Sequence, residues 1–183
     1  MKKILLSLVA LLCVATVSAQ SKFESSVKNA AQTVASQKWS AGLRVGSGVQ
    51  GYAECFYSDK AYVEGRLGFQ YVGSAYVGSA PITADFTILH NWNVCTMDWT
   101  PSAGKWFFDA GVGLNVGGKA HLATIGVAGC AKLGIKFDSA PVRLSVDFTP
   151  AFGPEIGYGK GWSGADFHKW GLCNLGVSAA YCF

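Results

Sequence analysis

The chain has three histidines, His90, His121 and His168, and acid–base or metal chemistry near neutral pH would turn on them. Only "GWSGADFH" brings a nucleophile and an acid close to one, with Ser163 and Asp166 beside His168. That spacing defines no catalytic triad, and no HExxH, phosphate-binding glycine loop or grouped Cys/His set occurs. Past a leader described below, Cys55, Cys95, Cys130, Cys173 and Cys182 remain, an odd number at long spacings without a CxxC pair. They read as small apolar filler rather than as a disulfide framework or metal site. The expectation is no catalytic residue, no cofactor and no metal. An enzyme acting on lipids or peptides stays a minor reading, which His168 would have to carry.

The residues with physical work to do are charged instead: Arg44, Glu54, Glu64, Arg66, Asp85, Asp109, Lys132, Lys136, Arg143 and Asp147. Each occupies the polar side of a segment whose period is two. "AYVEGRLGFQYV" sets Val63, Leu67, Phe69 and Tyr71 against Glu64, Arg66 and Gln70. "ADFTILHNWNV" sets Phe86, Ile88, Trp92 and Val94 against Asp85, Thr87, Asn91 and Asn93. The same alternation runs through 40–46, 48–57, 106–116, 124–137, 142–149 and 172–183, which makes eight strands. In the last, Leu175, Val177, Ala179, Tyr181 and Phe183 form one apolar row, and Asn174, Ser178 and Cys182 lie opposite.

The connections fall into two classes. "SDK", "DSAP" and "CTMDWTPSAGK" are compact, whereas 73–82 and 153–170 are long and Gly-rich, with shorter stretches near 47 and 117–121. Short turns on one rim and long loops on the other fit a transmembrane β-barrel, for which eight strands is an allowed count. The tandem "YVGSAYVGSA" (71–80) has an odd repeat, which would throw Tyr71 and Tyr76 onto opposite faces of one strand, so its second copy is expected to be loop.

At the start, "MKKILLSLVALLCVATVSAQ" has a basic beginning, an apolar run and small residues, the layout of a secretory signal peptide over 1–19. Residues 20–39 read as a short periplasmic segment, helical or flexible, and 40–183 as the barrel. Removing the leader lowers the formal charge from +4 to +2 by the loss of Lys2 and Lys3, and the remaining bases are scattered, so nucleic acid is not an expected partner.

Alternation alone does not say which face is inside. Charged residues are only 14% of the chain, too few for the outer surface of a soluble exported barrel. The polar faces carry both signs in near balance, as a narrow lumen requires. Tyr57, Tyr71, Trp92, Trp106, Phe137, Tyr181 and Phe183 lie near strand ends, where interfacial girdles sit. A two-residue turn at Ser139–Ala140 would place Lys132 opposite Asp147 and Lys136 opposite Arg143, leaving the latter two to find acids such as Glu54 and Glu64.

Together with the signal peptide and the closing "AAYCF", these strands resemble the small outer-membrane β-barrel proteins of Gram-negative bacteria, of OmpA/OmpX type and porin-like. The resemblance implies Tyr181 and Phe183 as a signal read by the barrel-assembly machinery, outer-membrane lipid as the surroundings, and outward-projecting loops at the cell surface. With ten charges inside a narrow barrel, the lumen is expected to be plugged. The aromatic stretch 153–170, with Tyr158, Trp162, Phe167, His168 and Trp170, is the candidate contact with an external ligand, or a loop shielding the mouth. The expected protein is a monomeric, non-catalytic barrel acting in membrane integrity or surface interaction. A small channel or carrier for a hydrophobic solute, and a secreted lipocalin-like binding barrel, are the alternatives.

Overall fold

Polar and apolar residues at alternate positions point to opposite faces of a strand, so a sheet built from them has two chemically distinct surfaces. Closing that sheet on itself gives each surface its own environment and removes the free edges. The computed structural model describes residues 38–70, 83–119, 122–157, 164–168 and 174–183, and they form an all-β fold with no helix among the described residues. The strands are β1 (Trp39–Gly46), β2 (Gly48–Ser58), β3 (Ala61–Gln70), β4 (Thr83–Thr100), β5 (Gly104–Lys119), β6 (Leu122–Phe137), β7 (Val142–Phe148), β8 (Ala151–Gly157), β9 (Gly164–His168) and β10 (Leu175–Cys182).

These ten segments make eight staves of one closed antiparallel barrel. β7 and β8 pair with β6 in one unbroken register, Phe148 opposite Ala131 and Ala151 opposite Ala128. The gap between them holds Pro150, which has no N–H for the ladder, although its carbonyl still accepts from Gly129 N at 2.8 Å. β9 lies against β8 and β10 against β7, so they form the eighth stave. Closure comes where β1 meets β10, from Ser40 opposite Cys182 to Gly46 opposite Gly176.

Burial follows the alternation. β10 reads exposed, buried, exposed, buried along its whole length. Leu67 is 67% exposed on the outside, whereas Arg44 is 0% and Glu64 1% exposed on the inside. Inward positions also hold bulk that the polar pattern does not announce: Tyr52, Tyr62 and Phe107 are buried, and Leu89 packs with Ala128, Cys130 and Ala151. Two residues on outward rows are nonetheless buried, Ala61 at the start of β3 and Ile135 on β6. Ile135 lies in register between Trp106 on β5 and Leu144 on β7.

Three connections differ from the sequence expectation. Residues 95–100 continue β4 instead of forming a loop, with register shifts at Asn93/Cys95 and Met97/Thr100 where β4 pairs with β5. Residues 117–119 belong to β5. Within 153–170, the backbone stays paired as the end of β8 and as β9, with Gly157 opposite Gly164. The repeat at 71–80, the signal peptide and the segment to residue 37 lie outside the described residues. We call the rim where β1 begins and β10 ends the near rim. It carries the turns at Asp59–Lys60, 101–103 and 138–141, and the far rim carries Ser47 and the ends of β3, β5 and β8 at Gln70, Lys119 and Gly157.

Candidate functional site

Inward-pointing charges on six different strands meet in the lumen, and their ion pairs join into one strictly alternating series. It runs Arg44–Asp147–Arg66–Glu64–Lys132–Glu54–Arg143–Asp109, four cations and four carboxylates linked by seven contacts. The closest are Arg66 Nε to Glu64 Oε1 at 2.5 Å and Lys132 Nζ to Glu64 Oε2 at 2.6 Å. The series is electrically neutral. Every member is buried, so each charge depends on its neighbours in place of water.

Lys132 has a particular place in it. Glu54 and Glu64 stand directly opposite one another across β2 and β3, an unfavourable arrangement for two carboxylates. The ammonium of Lys132 reaches both, at 2.9 Å and 2.6 Å, and converts the repulsion into a bridge. Neutral donors complete the coordination. Asn91 Nδ2 donates to Glu64 at 2.9 Å, the Ser40 hydroxyl donates to Glu54, and Tyr62 OH donates to Asp109 at 2.8 Å. Asp147 receives Thr149 Oγ1 at 2.9 Å and Ser178 Oγ at 3.0 Å besides its two arginines. Space for Arg44 is made by Gly176, where a Cβ would fall 2.5 Å from the guanidinium carbon.

Asp85, nearer the far rim, is held differently. It is as buried as the rest, yet no cation pairs with it among the described residues. Its oxygens accept from Gln50 Nε2 at 2.8 Å, Gln70 Nε2 at 2.8 Å, Asn115 Nδ2 at 3.2 Å and Thr87 Oγ1 at 3.3 Å. Four neutral side chains from β2, β3, β4 and β5 thus solvate one carboxylate.

Of the ten charges expected in the lumen, nine are buried there. Lys136 is the exception: it points inward but sits half-buried at the near rim. The expected register is present, Lys132 opposite Asp147 and Lys136 opposite Arg143. The expected contact between Lys132 and Asp147 is not, because Lys132 turns to the two glutamates and Asp147 is taken by arginines. Arg143 finds Glu54 as expected, and Asp109 as well. Phe167 and His168 lie in strand β9 instead of a loop, and Tyr158, Trp162 and Trp170 lie outside the described residues. Tyr181 and Phe183 face outward with ring centroids 6.4 Å apart. His90 also faces outward, hydrogen-bonded to the Tyr57 hydroxyl and edge-on to Trp92 at 4.4 Å, and takes no part in the lumen. Cys55, Cys95, Cys130 and Cys182 are free thiols.

The residues that sequence reasoning missed are Tyr52, Tyr62, Phe56 and Phe107. They share parity with Glu54, Glu64 and Asp109 on their own strands, and that was the available signal. No protein-family model matches the chain, and no curated protein aligns with it.

Proposed function

We propose that the protein is an integral outer-membrane β-barrel, non-catalytic, with a lumen plugged by its own charges, acting in membrane integrity or in loop-mediated surface interaction. One observation carries the reading: the barrel is chemically inside out, with ions buried and Leu43, Val45, Leu67, Phe69, Val112, Leu114, Val146 and Val177 exposed. In water, apolar surface costs about 25 cal/mol per Å², and monomeric soluble proteins rarely expose a continuous apolar belt. A lipocalin-like barrel would turn these rows inward. Trp92, Trp99, Tyr57 and Tyr181, exposed on the outside towards the near rim, suit the interfacial level of a bilayer. The signal-peptide pattern of 1–19, the resemblance of the closing strand to an assembly signal, and the allowed strand count favour the outer membrane.

Fractionation of a Gram-negative host that exports the chain tests the assignment. The protein should stay with membranes through an alkaline carbonate wash and leave them only with detergent. Recovery in the soluble periplasm would sink it. Purified protein in planar bilayers then tests the plug: no stable conductance is expected, and steady, salt-dependent steps would favour the small-channel reading.

A further inference from the structure

Lys105, Lys136 and Arg143 stand side by side on three adjacent strands. Lys105 faces Lys136 across β5 and β6, and Lys136 faces Arg143 across β6 and β7. All three line one near-rim cavity of about 220 Å³, together with Phe56 and Phe107. Like charges directly opposite on neighbouring strands repel, so a row of three calls for an opposing charge.

Arg143 already has two, Glu54 and Asp109. Neither lysine has a carboxylate within ion-pair distance among the described residues. Nor are they needed inside, since the alternating series is balanced without them. The acids on the cavity wall do not fill the gap. Asp109 accepts from Arg143, Tyr62 and Asn93 at 3.2, 2.8 and 2.8 Å, and Asp59 sits exposed in the β2–β3 turn beside Lys60.

We propose that this vestibule binds a small organic anion, its carboxylate or phosphate head between Lys105 and Lys136 and a flat apolar body against Phe56 and Phe107. Side chains directly opposite on antiparallel strands start about 4.5–5.5 Å apart at Cβ, a span that two ammonium groups can close on one oxyanion. The aromatic wall is pre-set. Arg143 lies 4.2 Å from the centroid of Phe107 and 5.1 Å from that of Phe56, and Gly134 leaves room for the Phe107 ring, which a Cβ there would approach to 2.4 Å. A water takes about 30 Å³, so the cavity holds several waters or one small aromatic anion. The inference does not rest on membrane insertion, because the cavity belongs to the folded barrel wherever it resides.

Phenyl phosphate titrated into the folded barrel in non-ionic detergent at low salt, followed by calorimetry, tests it. Saturable binding is expected, tighter than for inorganic phosphate or phenol, which separates a site for the whole molecule from simple attraction of anions or of rings. The double variant Lys105→Gln/Lys136→Gln should weaken binding about tenfold. Lys38→Gln, at an exposed lysine of the same rim outside the cavity, should leave it unchanged. Unfolding by urea should show the double variant at least as stable as wild type, because repulsion has been removed. Should it fail to fold, Lys105→Gln alone, at an exposed position, should still weaken binding about threefold. Wild-type protein that does not bind phenyl phosphate, or lysine variants that bind it equally well, would overturn the proposal.

Discussion

Asp147 and Asp85 are buried aspartates of the same lumen, one gripped by two arginines and the other by four neutral side chains. The difference divides the barrel interior into two regions. Towards the near rim, charge is cancelled by charge, and ions are held by partners far away in sequence, such as Arg143 and Glu54 at a separation of 89 residues. Towards the far rim, a single charge is dispersed over amides and a hydroxyl. The first arrangement is strong but depends on every member, because losing one partner leaves another buried and unpaired. The second degrades gradually, one hydrogen bond at a time.

Lys132→Met should break the comparison most severely. It cuts the alternating series at its centre and leaves Glu54 and Glu64 facing each other with no cation between them, each held only by its other partner, Arg143 or Arg66, at a cost of about 3–5 kcal/mol. Urea unfolding of the detergent-solubilised barrel measures this, and adding Glu64→Gln to the same variant should recover part of the loss. A variant as stable as wild type would mean that water reaches these charges.

Next comes the direct contrast of the two aspartates. Asp147→Asn strands Arg44, leaves Arg66 with Glu64 alone, and should again cost about 3–5 kcal/mol. Asp85→Asn removes acceptors from neutral donors only and should cost about 1–3 kcal/mol. Equal losses in paired unfolding curves would erase the distinction between the regions.

The sequence carried the inward set well and its wiring poorly. Parity within each strand is local, so Glu64 and Arg66, or Asp85 and Thr87, are visibly on one face. Register across a tight turn is nearly local too, which is why Lys136 opposite Arg143 could be read. Apart from Arg66–Glu64 within β3, the ion pairs cross the lumen between strands that do not pair, and nothing in a single strand tells Lys132 to prefer Glu64 over the Asp147 that faces it. The inward aromatic residues went unnamed for a different reason. Tyr62 and Phe107 look like girdle residues by type, but their parity puts them inside, where the hydroxyl of one serves Asp109 and the ring of the other supports Arg143. The Gly-rich stretch 153–170 suggested a loop, yet the ladder bond lost at Pro150 interrupts the stave only locally and the pairing resumes at Ala151.

The smallest expected effect separates two threonines that look alike in sequence. Thr149 Oγ1 donates to Asp147 at 2.9 Å and accepts from Arg66 Nη1 at 2.9 Å, so it is part of the ionic wiring. Thr124 Oγ1 is also buried but has no hydrogen-bond partner among the described residues. Replacing either with valine keeps the shape and removes one hydroxyl. Thr149→Val should lose about 1–3 kcal/mol, because two charged groups each lose a partner. Thr124→Val should stay within about 0.5 kcal/mol of wild type, since no bond is broken. A clear loss at Thr124 in the same unfolding assay would reveal a partner for that hydroxyl and make the far-rim region as tightly wired as the near one.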